Sequence, residues 1–584
     1  MRWIRLWRAT AIVLLGGLAL SSQQPPPAPT NVPATVLRVT TRLVLVDVVV
    51  TDKQGRPVTD LTRDDFTLME NGKPQRIATF SLENPGGGVQ QAAIAPAPLP
   101  PNVVTNKPEY RLPPGPLSVL LIDALNTPMQ DQSYAREQML RYLRTQLQPN
   151  QRTAILVLTG DLLILQDFTA DPKALIAAVE KYSPERPARQ PEEGYIANPE
   201  AVAKIADLPS NAAANLQRFE QEYNAMLTDS RVSITLGALR AIARALAGYP
   251  GRKNLVWVSA TFPFSLTPED DSNPMTYRNY SNEIRQTASV LSDAQVAVYP
   301  VDARGLVGFP MASAADSLRG RTGRAFSGPT FGGELNRRYD SLYNTFATME
   351  TLAEATGGRA FRNRNDIDVA LARSIGDGST YYTLGYYPES KEWDGKFRRL
   401  KVQVLRKGTE LRYRRGYYAL DPTAKLVLAK KDKDKEPPTE DEERNAALKT
   451  ALLSAMPATL VTFRAAVFPP PAPAATAPVQ VGFIVDVPTI LFEPDPGGLR
   501  HASLDFLVAV ITPQGKLVRT ANDTLNADLT PENFSRIQEH GLQHLMTVEL
   551  PPGRYFLRLV VRDNRTGLMG STDAPLVLES PDKT

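Results

Sequence analysis

The chain has 584 residues, of which 42% are hydrophobic and 22% charged, so it is a globular protein too long for one core, and we expect about three or four domains. It contains no cysteine, which excludes disulfides, thiol catalysis and thiolate metal sites. Its formal net charge is +4, and loss of three arginines with the N-terminal segment described next leaves +1, so bulk charge favours neither nucleic acid nor an anionic membrane as a partner.

The N-terminal segment has the pattern of a secretory signal peptide. Three arginines within the first eight residues precede an apolar run over residues 9–20, and two serines follow it. About twelve apolar residues are too few to span a bilayer. We therefore predict that residues 1–22 are removed and that the mature protein, which has no membrane span, is periplasmic or secreted. An uncleaved N-terminal anchor is the alternative.

A Pro-rich spacer over residues 23–35 leads to a predicted β unit over residues 36–82. Residues 43–50 are β-branched and predict a strand, and residues 65–69 predict a second. Asn71-Gly72 predicts a tight hairpin turn into a strand over residues 75–80, because both turn positions need a positive φ. About four strands are too few for a stable sandwich, so this unit needs partner strands from elsewhere in the chain.

Residues 116–375 alternate predicted strands and helices after a Gly- and Pro-rich linker over residues 86–115. Strands are predicted over residues 117–122, 153–159, 162–166, 254–259, 295–301 and 359–362. Helices are predicted over residues 132–147, 171–182, 212–228, 236–247, 281–294, 339–355 and 366–374. This alternation predicts a doubly wound, mostly parallel sheet that is covered by helices on both faces.

The remaining predicted elements are mainly strands. Those over residues 381–387, 397–404 and 411–418 are antiparallel in pattern, and we predict that residues 378–420 complete one β-sandwich with residues 36–82, with the α/β domain inserted between them. A charged linker over residues 421–445 precedes a C-terminal helix and β-sandwich domain over residues 446–584. The expected fold class is therefore α/β plus all-β.

The motif Asp123-Ala124-Leu125-Asn126-Thr127 lies between the first strand and the first helix of the α/β region. Ligand-binding groups of such sheets lie at the carboxyl ends of the strands. The motif resembles the metal-ion-dependent adhesion site of a von Willebrand factor A domain, which reads Asp-x-Ser-x-Ser. Leu125 stands at the position of the first Ser of that motif, and Thr127 stands at the position of the second.

The same resemblance implies two more site positions, a Thr on the loop before the third helix and an Asp at the end of the fourth strand. Residues 231–239 are predicted to be that loop, with Ser233 and Thr235 as the two candidates for the Thr. The fourth strand ends in Ser259 rather than Asp, so the second carboxylate is missing. Asp302 ends the next strand, where it either reaches the same rim or caps a turn.

Segments on both sides of this motif resemble the A-domain-related exported proteins of Acidobacteria, over about residues 40–420. The segments that carry this resemblance are Val49-Val50-Thr51-Asp52, Asp64-Asp65-Phe66, Glu70-Asn71-Gly72-Lys73-Pro74-Gln75, Gly251-Arg252-Lys253 and Arg415-Gly416-Tyr417-Tyr418. The resemblance implies an architecture more than an activity. It is consistent with a non-enzymatic, adhesion-type module that binds a protein partner of unknown identity.

Two interpretations of the Asp123 motif remain open at the level of sequence. In the first, Asp123, Thr127 and either Ser233 or Thr235 provide three oxygens to a weakly bound Mg²⁺, with Asn126 adding a carbonyl. In the second, Asp123 accepts hydrogen bonds from loop amides and the site holds no metal.

Other function classes have little support in the sequence. There is no Gly-x-Ser-x-Gly elbow, phosphate loop or dinucleotide fingerprint. His540 and His544 have the spacing of a helical metal pair, but Gly541 lies between them and a strand follows, which favours a surface loop over a zinc site. We expect a protein-binding module; the alternatives are a structural envelope component with a silent site and a hydrolase with unrecognised catalytic residues.

Overall fold

The computed structural model describes residues 43–84, 96–112, 115–148, 151–185, 187, 212–262, 280–306, 329–390, 392–419, 439–454, 456–470, 472 and 474–580. The predicted signal peptide, the Pro-rich spacer and most of the charged linker lie outside these residues. Within the described ranges, none of the helices is both long and apolar enough to cross a membrane.

The strands follow one another along the chain as β1 (Val44–Asp52), β2 (Phe66–Glu70), β3 (Lys73–Gln75), β4 (Ile77–Glu83), β5 (Val103–Thr105), β6 (Leu117–Asp123), β7 (Arg152–Leu158), β8 (Leu162–Thr169), β9 (Lys253–Ser259), β10 (Val296–Asp302), β11 (Tyr381–Tyr386), β12 (Phe397–Val404), β13 (Thr409–Arg412), β14 (Gly416–Tyr418), β15 (Phe463–Phe468), β16 (Ala477–Val485), β17 (Glu493–Pro494), β18 (Arg500–Ile511), β19 (Leu517–Leu529), β20 (Leu542–Leu550), β21 (Gly553–Asp563) and β22 (Met569–Leu578). The α-helices are α1 (Pro108–Arg111), α2 (Met129–Thr145), α3 (Pro172–Lys181), α4 (Ala212–Leu246), α5 (Ser281–Asp293), α6 (Pro329–Thr356), α7 (Ile367–Gly376), α8 (Glu440–Leu453) and α9 (Pro531–His540).

Strands from both ends of the first 420 residues share two antiparallel sheets. One sheet has the order β13-β1-β11-β4 and the other has the order β14-β12-β2-β3. Val46 and Tyr382 from the first sheet and Leu68 and Val402 from the second belong to one buried hydrophobic cluster. The two sheets therefore pack face to face, although more than 300 residues separate some of the paired strands.

The hairpin at Asn71-Gly72 forms, with φ of 48° and 82°, but its second strand is shorter than predicted. β3 pairs with β2 over three residues, and the chain then leaves this sheet. β4 pairs with β11 in the opposite sheet. The strand predicted over residues 75–80 is confirmed for residues 77–80, but its pairing across the hairpin is wrong, because Arg76 marks a crossing from one layer to the other.

The α/β part contains a five-stranded sheet of order β10-β9-β6-β7-β8. Strands β10, β9, β6 and β7 are parallel, whereas β8 returns antiparallel to β7. Alternate residues of β6 face opposite layers: Val119 and Leu121 pack with residues of α4, α5 and α6, and Leu120 and Ile122 pack with residues of α2, α3 and α7. Burial on both faces explains why these strands are almost continuously apolar.

Two predictions within the α/β part are wrong. Helix α4 is one continuous helix of 35 residues, where two helices and a loop over residues 231–239 were predicted. No proline interrupts this stretch, and one internal glycine, Gly237, costs only about 1 kcal/mol relative to alanine. The strand predicted over residues 359–362 is reduced to a single bridge between Val301 and Phe361.

The C-terminal part is a second sandwich, with sheets of order β20-β16-β15-β5 and β17-β18-β21-β22 and with β19 added to β18. Phe463 and Phe483 from one sheet and Phe506 and Leu557 from the other share its core. β5 comes from the region predicted to be a linker, so that prediction is wrong for Val103–Thr105. β19 was missed because its exposed residues are mostly polar and show no clear alternation.

Both sandwiches contact the α/β part at the amino ends of its parallel strands, through the loop before β9. The backbone N–H of Arg252 donates to the Tyr381 hydroxyl at 2.9 Å. The Thr459 hydroxyl accepts from the Gly248 N–H at 3.0 Å and donates to the Ala245 carbonyl at 2.9 Å. The carboxyl ends of the strands, where Asp123 lies, are at the opposite edge of the sheet.

Candidate functional site

Three of the residues singled out in the sequence end adjacent parallel strands. Asp123 is the last residue of β6, Ser259 of β9 and Asp302 of β10. The loop after Asp123 is held close to the sheet, since the Leu125 N–H donates to the Leu158 carbonyl at 2.8 Å. Parallel strands end at a common edge, so the three side chains belong to the carboxyl edge of the sheet.

The Asp123 carboxylate is fully buried and is surrounded by donors from the protein itself. Its Oδ1 lies 3.0 Å from both the backbone nitrogen and the Nδ2 of Asn126. Its Oδ2 lies 2.8 Å from the same Nδ2, 2.9 Å from Trp257 Nε1 and 2.9 Å from Ser259 Oγ. Five short contacts with four donor groups leave neither oxygen open to an external ligand.

Asn126 links the loop to two other segments of the chain. Its Nδ2 also lies 2.9 Å from Thr235 Oγ1 on α4, and its Oδ1 accepts from Arg231 Nε at 3.0 Å. Its main-chain carbonyl accepts from the Thr261 hydroxyl at 2.8 Å, and a second guanidinium nitrogen of Arg231 contacts that hydroxyl at 3.1 Å. The loop, α4 and the segment after β9 are therefore joined through one amide side chain.

Thr127 has a positioning role within the same loop. Its hydroxyl accepts from the Ala260 N–H at 3.0 Å, and its carbonyl accepts from Gln132 Nε2 at 2.7 Å. The side chain of Thr127 is 2% exposed, which removes it from solvent. Its oxygen therefore holds the backbone after β9 in place.

The network contains one buried acidic residue, Asp123, and one buried basic residue, Arg231. Burial raises the pKa of the Asp123 carboxyl, and the hydrogen bonds from Asn126, Trp257 and Ser259 oppose that change. Burial lowers the pKa of the Arg231 guanidinium, and the charge of Asp123 opposes that change. The two charged groups are connected through the amide of Asn126 rather than by a direct ion pair.

Of the residues proposed for the site, Ser233 lies at the surface and Asp302 contacts a neighbouring arginine. Ser233 is exposed, whereas Thr235 is fully buried. Two residues along an α-helix turn by about 200°, so only one of them can face the Asp123 loop. Asp302 Oδ1 accepts from the backbone N–H and Nε of Arg304 at 3.0 and 2.9 Å, which is the turn-capping alternative.

Sequence reasoning missed Arg231 and Trp257, two members of the network. Arg231 lies one helical turn before Thr235, a spacing that is informative only once the segment is known to be helical. Trp257 lies two positions before Ser259 on β9, so the period of two in a strand places it on the same face.

The arrangement does not fit Mg²⁺, which needs near-octahedral oxygen ligands and usually one or two carboxylates. The oxygens of Asp123 and Thr235 face an amide nitrogen, and Ser259 supplies no second carboxylate. The neighbouring Arg231 guanidinium adds positive charge. In the part of the chain that the structure describes, no group of three or more His, Asp or Glu residues is placed to hold a metal.

His540 and His544 lie on different elements, the end of α9 and the strand β20. The prediction of a surface loop is therefore wrong for both. The His544 ring stacks on Phe506 with centroids 4.3 Å apart, so it packs against the C-terminal core.

No protein-family model and no curated protein matches this chain. Solved structures that match part of this chain include an aerotolerance-related membrane protein from Bacteroides fragilis, at 14% identity over 45% of this chain and 99% of that chain, with a TM-score of 0.23. They also include conserved hypothetical protein BatB from Bacteroides thetaiotaomicron, at 14% identity over 46% and 99%, with a TM-score of 0.22. A third is proximal thread matrix protein 1 of the mussel byssus with a zinc-occupied MIDAS motif, at 6% identity over 47% of each chain, with a TM-score of 0.21.

Proposed function

We propose that this chain is an exported, non-enzymatic, protein-binding module of the von Willebrand factor A type, flanked by two β-sandwiches. The observation that carries the proposal is the closure of the Asp123 loop at the carboxyl edge of the parallel sheet. A catalytic acid, base or nucleophile has to reach its substrate. Asp123 is fully buried and its oxygens contact only protein donors, which favours a structural part for this residue under a binding surface.

The position of the two sandwiches supports the carboxyl edge of the parallel sheet as the binding surface. Their contacts through Tyr381 and Thr459 lie at the amino edge of the sheet, so these contacts leave the carboxyl edge available to a partner. Met129 begins α2 at that edge and is 53% exposed, and Ser233 on α4 is exposed as well. A protein is the favoured partner, since the near-neutral mature charge gives nucleic acid no electrostatic support.

The burial of the network also favours a second candidate, a structural envelope component in which the site is silent. Asp123, Asn126 and Thr235 are fully buried, and Arg231 is 7% exposed, so none of them is presented to a partner. The two candidates differ in whether the surface above this network is recognised.

The experiment is affinity capture from an envelope extract with purified residues 23–584. Met129→Glu places a charge at the carboxyl edge and should abolish capture of the partner. Leu517→Glu is the matched control, because Leu517 is 47% exposed but lies on the C-terminal sandwich. Capture that survives Met129→Glu, or that is lost equally in both variants, would contradict the proposed surface. Fractionation and intact-mass measurement of the native protein test export, with loss of residues 1–22 as the expected result.

A further inference from the structure

The Nδ2 of Asn126 lies among oxygens of two other buried side chains. It lies 3.0 and 2.8 Å from the two oxygens of Asp123 and 2.9 Å from Thr235 Oγ1. These three oxygens converge on one nitrogen, and all three residues are fully buried. Any divalent ion binding Asp123 and Thr235 together would have to displace this amide.

We propose that the Asn126 amide, polarised by Arg231, is a built-in replacement for a metal ion, which holds the carboxyl edge closed whatever the divalent-cation concentration. A buried carboxylate requires compensation by charge and hydrogen bonds. The amide hydrogens supply the donors, and Arg231 supplies a full positive charge by donating to Asn126 Oδ1 at 3.0 Å.

Two further features keep a divalent ion out of this position. Ser259 stands where a second carboxylate would balance a doubly charged ion, and it offers only a hydroxyl that is already 2.9 Å from Asp123 Oδ2. The guanidinium of Arg231 is 7% exposed, so solvent screens its repulsion of another cation only weakly. Both features depend on the particular side chains at positions 259 and 231 and not on the fold itself.

The replacement also fixes the geometry of three chain segments. Asn126 belongs to the loop after β6, Thr235 and Arg231 belong to α4, and Thr261 follows β9. Because all the linking groups are covalent parts of the chain, the closed arrangement cannot be released by chelation. This inference does not depend on the proposed protein partner, since it concerns the loop alone.

The test uses the emission of Trp257, whose Nε1 contacts Asp123. The chain has four tryptophans, and Trp393→Phe leaves Trp257 as the only one within residues 23–584. In this background, millimolar Mg²⁺, Mn²⁺ or EDTA should leave the emission unchanged, and calorimetric titration with Mn²⁺ should show no binding. A saturable Mg²⁺ response of the background protein that is lost in Asp123→Asn would overturn the inference.

A gain-of-function variant completes the test. Asn126→Ser with Arg231→Gln and Ser259→Asp removes the amide and the guanidinium and adds the missing carboxylate. This variant should bind Mn²⁺ with a Kd at least about tenfold below the weakest binding that the background titration would detect, a difference of about 1.4 kcal/mol, and EDTA should reverse the change in emission. The same variant with Asp123→Asn is the control and should not respond. If the triple variant does not fold, Asn126→Ser alone is titrated and should show a weaker response of the same kind; a folded variant that ignores Mn²⁺ would refute the replacement.

Discussion

Lys253 is a buried cation beneath the loop where both sandwiches meet the α/β part. Its side chain is 1% exposed, and its Nζ donates to the Tyr249 carbonyl at 2.8 Å. Burial lowers the pKa of Lys253 from 10.5 to about 7, while the charge of Asp47 acts in the opposite direction. We predict that this one side chain makes the stability of the α/β part depend on pH near neutrality.

The sign of the effect follows from the protons bound in each state. Between pH 7 and 10.5 the unfolded chain keeps a proton on Lys253 that the folded protein has lost. The free energy of unfolding therefore rises with pH in this window, by at most about 1.4 kcal/mol per pH unit. Below the folded pKa both states are protonated, and the full cost of the buried charge, roughly 5 kcal/mol, is present.

Lys253→Met removes the charge and keeps a long apolar side chain in the same space. The loss of the hydrogen bond to Tyr249 costs about 1 kcal/mol, which is less than the cost of the buried charge. The variant should therefore be more stable than the parent at pH 7, and its advantage should shrink by roughly 2–3 kcal/mol at pH 9.

Urea unfolding followed by Trp257 emission measures this difference, since Trp257 lies on the same strand as Lys253. Lys401→Met is the control, because it makes the same change of side chain at an exposed position on β12. A difference between parent and Lys253→Met that stays constant from pH 7 to 9 would refute the reasoning. So would a variant that is less stable than the parent at both pH values.

Three further substitutions test other parts of the fold. Thr459→Val removes the hydrogen bonds to Gly248 in the loop before β9 and to Ala245 at the end of α4, so it should cost about 1–3 kcal/mol and speed hydrogen exchange at the Gly248 amide. Glu70→Ala leaves the buried hydroxyls of Tyr386 and Tyr417 without their acceptor, and urea unfolding of the first sandwich should show a loss of roughly 2–5 kcal/mol. Gly358→Ala places a Cβ 1.9 Å from the Val298 carbonyl oxygen and should lower thermal stability by more than about 1 kcal/mol, whereas Gly376→Ala, which meets nothing within 4 Å, should not.

Local signals in the sequence predicted several elements well. The strand β6 and its terminal Asp123 were recognisable because an apolar run ends in an acid and a helix follows. Asp171 and Thr439, residue types that favour helix N-caps, cap α3 and α8, since their side chains accept from backbone N–H groups in the first turn. Each of these features depends on residues that are close in the chain.

The contacts that define the Asp123 network could not be predicted in the same way. Asn126 meets Thr235 across 109 positions and Arg231 across 105. Sequence reasoning placed both partners on a loop, so it could not use the helical spacing that brings them to one side of α4. The prediction missed β5 for a related reason. Its three β-branched residues form a strand only because β15 offers them an edge with which to pair.

Buried basic side chains at the two ends of the parallel strands have different partners, and this difference bears on function. At the carboxyl edge, Arg231 is linked to Asp123 through the amide of Asn126, so the loop is closed without any diffusible ion. At the amino edge, Lys253 donates to a neutral carbonyl, and burial lowers its pKa to about 7. A change of pH around neutrality should therefore act, through Lys253, on the junction with the sandwiches. If the carboxyl edge is the binding surface, partner affinity should not follow the titration of Lys253 from pH 7 to 9, while hydrogen exchange at Gly248 and Arg252 slows over that range, after correction for the intrinsic rate at each pH. Affinity that follows the titration of Lys253 would instead assign recognition to the junction.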